Sequence, residues 1–337
     1  VCQITSVHPV KDIRIFYKES FALQQAGYDV YLLAQGKRSC SLNGIHHISF
    51  SRINKRFIRI GFLPWIIFFK ALLINARIYH FHDPELILPG LLLKLFGKRV
   101  IYDVHENVPL QITTKHYIAK PLRFIFAKGV KIFEELGMVF FDGAVAATNS
   151  IKNRFPERYR PKIVVVRNYV DPDEIKPNGY SCQKRSVCYV GGINLQRGIE
   201  QMVRSVEATD ITLHLAGTFH NKNDQKRMEE LDGWRNVNYI GVVGREKIKE
   251  LYDDSCIGML LLHPLKSFRE SLPIKLFEYM AAGMPVLASD FPLWKEIIEE
   301  NQCGVCVNPL DLEEIRYNLK KLVNEKEIRI HELKDEL

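Results

Sequence analysis

Short runs of branched and aromatic apolar residues alternate along this chain with segments whose apolar positions recur every three or four residues. Val1-Cys2-Gln3-Ile4-Thr5, Val30–Ala34, Ile78–Phe81, Val100–Val104, Ala144–Ala147 and Ile163–Val166 read as short buried strands. Between the first two, Ile15–Ala26 carries Phe16, Phe21 and Leu23 at helical spacing and stops at Gly27, a predicted C-cap. The pattern restarts at Val187–Val190 and continues through Ile211–Leu215, Asn238–Ile240, Ile257–Leu262, Val286–Ala288 and Val305–Val307. A polar stretch between Val170 and Ser186, with Pro172, Pro177 and Gly179, separates the two series and reads as a linker. Strands alternating with helices imply βαβ units and parallel sheets. The expected class is therefore α/β, with two doubly wound domains at 1–170 and 187–337 and a linker at 171–186. Ligands of such sheets bind beyond the carboxyl ends of the strands, so the chemistry is sought in the loops that follow them.

Composition agrees with this division. The 337 residues are 47% hydrophobic and 26% charged, enough for two cores and too apolar for disorder. Seven cysteines in so long a chain exclude a disulfide scaffold. Of these, Cys303-Gly-Val-Cys306 resembles half a zinc site, but no second pair follows, and alternation with Val305 and Val307 reads as a strand. The net charge of +8 is unevenly spread: Val1–Arg167 carries 25 Lys+Arg against 11 Asp+Glu, and Asn168–Leu337 carries 22 against 28. A basic half and an acidic half imply different partners. The most apolar stretch, Ile60–Phe69, is bounded by Arg59 and Lys70 and is too short to span a bilayer. With no visible signal peptide and an odd cysteine count, the expected location is the cytoplasm. Lys334-Asp-Glu-Leu337 matches an ER-retention address but closes a charged helix, where chance accounts for it.

The strongest chemical signal is Glu270-Ser-Leu-Pro-Ile-Lys-Leu-Phe-Glu278, continuing to Val286. Pro273 suits the first turn of a helix, which leaves Glu270 in the preceding loop and Glu278 on the helix. Two carboxylates so placed can accept hydrogen bonds from several hydroxyls. A solvated loop Glu, plus a helix Glu paired with Lys275, explains the spacing equally well. The whole string, however, resembles the E-x7-E signature of retaining glycosyltransferases of family 4, whose GT-B architecture has two Rossmann-like domains with parallel sheets facing a cleft. Ser6-Val-His-Pro-Val-Lys-Asp-Ile-Arg-Ile-Phe16, Ala26–Val30, His80-Phe-His-Asp-Pro-Glu85, Tyr102-Asp-Val-His-Glu106, Asn168-Tyr-Val-Asp171 and Tyr189-Val-Gly-Gly192 follow in family order.

The resemblance implies a hexosyl transfer from a nucleotide sugar, UDP- or GDP-linked, that serves as co-substrate, with no cofactor and no metal. The first domain would bind acceptor and the second donor, with the linker as hinge over the cleft and the last helix able to pack back on the first domain. Glu278 would hold the ribose and Glu270 the transferred sugar near its reacting carbon. Amides after Leu272 and around Gly191 and Gly192 would cradle the diphosphate at helix N-termini. Gly192 stands where the family has an Arg, and Arg197 where it has a Lys. Arg197 keeps that cationic role, and Lys275 or Arg269 is the candidate for the missing charge. His105 matches the family's His that faces the donor sugar, where it would support an oxocarbenium-like transition state. His8, Asp12, Arg14, His82, Asp83 and Glu106 fall at strand ends on the acceptor or phosphate side; Asp12 with Arg14 reads equally as a surface ion pair. Retention without a dedicated base implies a front-face route in which the leaving phosphate takes the acceptor's proton; Glu270 as covalent nucleophile is the alternative. Asp171-Pro-Asp173 fits a metal-binding DxD pattern, though such a triplet more often turns the chain.

Arg52, Lys55, Arg56 and Arg59 run into the apolar segment at 61–69, and Lys115–Lys131 interleaves cations with Leu122, Phe124, Ile125, Phe126 and Ile132. Each stretch suits in-plane contact with an anionic membrane, and each also reads as an ordinary amphipathic helix. With the charge of the whole half, they imply a glycan or polyprenyl-diphosphate-linked acceptor at the inner face of the cell membrane, in cell-surface polysaccharide synthesis. Nucleic-acid binding is disfavoured because no binding module is recognisable and the acidic half argues against a continuous basic groove. A sugar-nucleotide epimerase or a phosphorylase of the same architecture fits Glu270–Val286 less well, and no Gly-x-Gly-x-x-Gly turn supports an NAD enzyme.

Overall fold

The computed structural model describes residues 1–53, 55–114, 118–167, 169–170, 175 and 185–324. It divides into two compact units, Val1–Asn168 and Tyr169–Leu337. Asp171-Pro-Asp173, most of the linker, Lys115, Asn168 and the final Lys334–Leu337 lie outside the described residues.

The first unit is built on strands β1 (Cys2–Pro9), β2 (Tyr31–Gln35), β3 (Cys40–Leu42), β4 (Ile45–Phe50), β5 (Ile78–Phe81), β6 (Arg99–Val104), β7 (Gly143–Ala146) and β8 (Ile163–Val165). Their order in the sheet is β3-β4-β2-β1-β5-β6-β7-β8, and every pair is parallel except β3 with β4. Ile4 registers with Leu33 on one side and Phe81 on the other. The order reverses between β1 and β5, which places the unit's topological switch point beyond their carboxyl ends. Strands covered on both faces read as unbroken apolar runs, which is why all but β3 and β4 are visible in the sequence. That hairpin turns on Asn43 and Gly44, both at positive φ (50° and 78°), the backbone a two-residue primed turn demands.

The helical spacing expected over Ile15–Ala26 is realised differently. Ile13–Ser20 winds as a π-helix, and Phe21–Gln25 continues as an α-helix ending at Gly27 (φ 85°). The wider turn buries Arg14, Ile15, Phe16 and Ser20 and rotates Phe21 out to solvent, against its expected core position.

The second unit carries β9 (Ser186–Val190), β10 (Thr212–Ala216), β11 (Val237–Gly241), β12 (Ile257–Leu260), β13 (Val286–Ser289) and β14 (Gly304–Val307), all parallel in the order β11-β10-β9-β12-β13-β14. Here the reversal lies between β9 and β12. Helix Leu312–Asn324 buries Ile315, Leu319, Leu322 and Val323 in this unit's own core. Tyr169 also belongs here, its ring edge-on to Phe277 at 4.9 Å. Cys303 and Cys306 are free thiols; Cys303 is buried and bonds the Ile298 carbonyl, as a core residue does.

Candidate functional site

In the second unit, Gly191 and Gly192 follow β9 at the switch point. A Cβ on Gly217, which follows β10 at φ 144°, would lie 1.8 Å from the Gly191 carbonyl oxygen, so only glycine lets the two loops touch. The turn is held by Tyr189, whose hydroxyl donates to the Gly192 carbonyl (2.9 Å) and accepts from Arg197 Nη1 (3.4 Å). Asn194 caps the short 3-10 turn Leu195–Arg197 by accepting from the Arg197 amide. The guanidinium of Arg197 is thereby held over the Gly191 turn. The Gly191 and Ile193 amides already bond the carbonyls of Ala216 and Thr218. The expected amide cradle is therefore narrower than the sequence implies, and an anion there would rely on the Gly192 N–H together with Arg197. His220, which no sequence signal singles out, stands beside this turn, with its ring 3.1 Å from Asn194 Nδ2.

The string Glu270–Glu278 lies after β12. Glu270 ends a short helix, Lys266–Arg269, and the next helix is Ile274–Ala281, with Pro273 immediately before it rather than within its first turn. Trp294, fully buried, donates its indole N–H to the Ser271 carbonyl (2.7 Å) and fixes this loop, while half-buried Leu272 packs on the core beneath. Glu270 stays partly exposed, 3.8 Å from Lys266.

Glu278 points inward and is 1% exposed. Its Oε1 accepts from Arg245 (2.9 Å), and its Oε2 from the Tyr252 hydroxyl (2.6 Å) and from Lys275. Burial alone would raise its pKa, but the Lys275 charge and these hydrogen bonds hold it below the ordinary value. Lys275 thus pairs with Glu278, and its ammonium also reaches Tyr252 (3.4 Å). Arg245 and Tyr252 come from a helix more than twenty residues upstream (Arg245–Asp253), and nothing in the sequence marks them. A carboxylate offers about four lone-pair positions. Three are filled by these bonds, which leaves one on Oε1.

In the first unit the candidates gather at the β1–β5 switch point. Asp83 is buried and accepts from Thr5 Oγ1 (2.8 Å) and the Ser6 amide (2.7 Å). Asp12 caps the π-helix through the Arg14 and Ile15 amides and pairs with His8 Nδ1 (3.1 Å). Although burial opposes its charge, these partners hold Asp12 down to about 2. Burial also lowers His8, yet the Asp12 bond and the Asp83 charge raise it overall.

Arg14 is not a surface partner of Asp12. It is 6% exposed and forks onto Asp103 (Nε–Oδ2 3.0 Å, Nη2–Oδ1 3.2 Å), with Nη1 donating to the Val166 carbonyl. Asp103 is buried; the hydrogen-bonding contact with His82 and the Arg14 charge hold it well below the ordinary range against that burial. His82 is buried as well, its Nδ1 3.3 Å from Asp103 Oδ2. Arg14, His82 and Asp83 are thus framework. The groups left open to a ligand are His8, Asp12, His105 and Glu106, which accepts from Gln111 (2.9 Å). His105 stands 3.9 Å from Asp103 Oδ1, its ring edge-on to His8 at 5.2 Å, and burial lowers its pKa. Three residues given no role from sequence complete this framework: Glu19, His80 and Asp103. Burial and the Asp103 charge push Glu19 up to about 9, and burial pushes His80 down to about 3.

Both units match known families. A model described as Glycosyltransferase Family 4 matches residues 15–174, and one described as Glycosyl transferases group 1 matches residues 171–334. An uncharacterized glycosyltransferase of Haemophilus influenzae is 22% identical over 94% of this chain and 87% of its own length. The lipopolysaccharide glucosyltransferase WaaG of Escherichia coli is 25% identical over 64% and 59%. Two uncharacterized glycosyltransferases of Methanocaldococcus jannaschii are each 24% identical, and the chain spans only 45% and 51% of their length. Among solved structures, a sucrose-phosphate synthase of Thermosynechococcus elongatus superposes with a TM-score of 0.73 at 15% identity, covering 96% of this chain and 89% of that one. The HepE protein of Anabaena, in complex with UDP and glucose, gives 0.69 at 12% identity, covering 98% and 91%. Residues 15–174 thus match the Glycosyltransferase Family 4 domain and residues 171–334 the Glycosyl transferases group 1 domain, and the chain has the GT-B fold.

Proposed function

We propose that the chain transfers a sugar, with retention of configuration, from a nucleotide diphosphate sugar held by the second unit to a glycan or lipid-linked acceptor recognised by the first. The observation that carries this reading is the geometry of Glu278, a buried, ionised carboxylate with one lone pair free, together with the glycine turn after β9 that Arg197 overlooks. A ribose hydroxyl suits the former and a diphosphate the latter. Glu270, still partly exposed, is free to meet the transferred sugar, and His105 to stabilise its developing charge. The leaving phosphate takes the acceptor proton, so the protein supplies positioning and electrostatics. The complexes of the HepE protein with UDP and glucose and the name of the WaaG relative support a UDP-sugar donor and a role in polysaccharide synthesis.

The first unit supports an acceptor at an anionic membrane. No helix among the described residues is long and apolar enough to cross one. Helix Ile87–Leu95 packs between Arg56–Ile74 and Lys120–Phe140, and all three expose large apolar side chains, among them Phe62, Phe69, Leu73, Leu95, Phe124 and Ile125. A merely amphipathic helix would keep such residues inward. Arg59 adds no free charge, because it pairs with Glu85 (3.2 Å).

Thermal melting with UDP-, GDP-, ADP- and CMP-sugars tests the donor site, since a ligand of the native state raises the midpoint by mass action. A rise of several degrees with one nucleotide class, abolished in Arg197→Ala, is expected. No rise with any of them would overturn the reading. Conversion of the donor without any acceptor would indicate an epimerase instead.

A further inference from the structure

The strongest unassigned feature is a buried cluster in the first unit beneath His8 and His105. Glu19 comes from the π-helix, His80 and His82 from β5 and its end, and Asp103 from β6. One ligand atom of each residue lies within 4.8 Å of those of the other three. His82 Nδ1 is 3.3 Å and His80 Nε2 4.0 Å from Asp103 Oδ2, and His80 Nδ1 is 3.7 Å from Glu19 Oε2. We propose that Glu19, His80, His82 and Asp103 bind one divalent transition-metal ion of the zinc class.

Three observations carry it. First, the spacing approaches that of a closed site: four ligands about 2.0–2.1 Å from a tetrahedral ion stand about 3.3 Å apart, so ligand atoms up to 4.8 Å apart need to move inward by less than about 1 Å each. Second, buried polar atoms are left without hydrogen-bond partners where the ion would sit. They are His80 Nε2, His82 Nδ1 and Glu19 Oε2, whereas Glu19 Oε1 has Arg14 at 2.9 Å. Orphaned buried groups of this kind are rare in native proteins and call for a missing partner. His82 Nε2 contacts Gln3 Oε1 at 2.7 Å. With Nε2 held by Gln3, Nδ1 is the ring nitrogen turned to the cluster, 3.3 Å from Asp103 Oδ2. Such an outer hydrogen bond is the usual way a ligating histidine is oriented.

Third, the donor set suits such an ion. Arg14 lies 2.9 Å from Glu19 Oε1 and 3.0 Å from Asp103 Oδ2 and holds the two carboxyl groups side by side. His8 and Asp12 nearby balance each other, and His105 stands on the far oxygen of Asp103. Two imidazoles and two carboxylates form the donor set that borderline ions such as zinc prefer over magnesium or calcium. The ion would act as a structural centre, fixing Asp103 and through it the orientation of His105.

The test uses the purified full chain, stripped with dipicolinate, dialysed against Zn2+ and then against buffer, with the metal content measured by mass spectrometry. About one equivalent is expected to remain and to raise the melting midpoint by several degrees. Loading with Co2+ should give the intense visible absorption of a four-coordinate ion. His80→Gln and Glu19→Gln should each lose the retained equivalent. Less than about a tenth of an equivalent in the parent chain would overturn the proposal and leave a cluster held by shared protons alone. Equal retention by parent and a folded variant would overturn it too, by assigning the ion to another site. Should both variants fail to fold, the stoichiometry and cobalt spectrum of the parent chain decide the matter: a six-coordinate spectrum or no retained ion refutes the site.

Discussion

Glu278 performs two tasks that substitution should separate. Glu278→Gln keeps the shape of the side chain but places an amide against Arg245 and Lys275, whose cations converge on one buried group. Removing one member of a fully buried ion pair costs about 3–5 kcal/mol, because a charge is left without compensation. Arg245 and Lys275 remain about one-third and one-fifth exposed, so water takes up part of that loss. A destabilisation of about 2–3 kcal/mol is therefore expected. For a chain region of this size, each kcal/mol moves the midpoint by about 2–4 °C, so calorimetry should register a fall of about 4–12 °C. The sign of the pH dependence follows from the depressed pKa. Glu278 stabilises the fold above its unfolded value, about 4.3, and that contribution disappears as pH falls through the lower folded value. The difference between parent and variant should accordingly shrink below about pH 4. Adding Lys275→Met should recover part of the loss by removing one uncompensated cation, while nucleotide binding stays weakened, because a neutral amide accepts less strongly from a ribose hydroxyl than a carboxylate does. A variant as stable as the parent would refute the buried-network account. A variant that binds nucleotide normally would refute the ribose role.

Gly217→Ala drives a methyl group to 1.8 Å from the Gly191 carbonyl at a φ that L side chains rarely adopt. It should cost at least about 2 kcal/mol and weaken nucleotide binding, measured by melting and by titration calorimetry. The His8–Asp12 pair should show opposite pH limits: the Asp12 contribution is lost as pH falls from about 4 towards about 2, and the His8 contribution as pH rises beyond about 6.5. Both residues are partly solvated, so a double-mutant cycle near pH 5.5 should give only about 1 kcal/mol, vanishing above pH 8. In the first unit, Phe62→Ser, Phe69→Ser and Phe124→Ser together should lower association with anionic vesicles at least tenfold in a sedimentation assay without altering nucleotide binding, each aromatic contributing about 1 kcal/mol or more when it enters the interface.

Sequence showed the interior of each sheet well, because a strand covered on both faces must be apolar throughout. It failed at the edge, where Cys40-Ser41-Leu42 and Ile45-His46-His47 carry no such signature and only Asn43-Gly44 announces a hairpin. It failed at the π-helix for a related reason. A period of 3.6 assigns Phe21 to the core, whereas the wider turn exposes Phe21 and carries Arg14 and Glu19 to the same side, where they meet at 2.9 Å. The same bias shaped the reading of the sites. Proximity along the chain suggested Asp12 with Arg14 and Glu278 with Lys275. The second pair forms because residues three apart share a helix face. The first does not, because a residue that caps a helix directs its carboxylate at backbone amides, which leaves the arginine for Asp103, eighty-nine residues away. Both units repeat one arrangement: a buried carboxylate at or beside a switch point, Asp103 or Glu278, held by an arginine from a distant segment. Motif spacing can point to the carboxylate, because its neighbours in sequence are also its neighbours in the loop. The arginine that keeps it ionised is chosen by strand order, and strand order is settled only when the sheet closes.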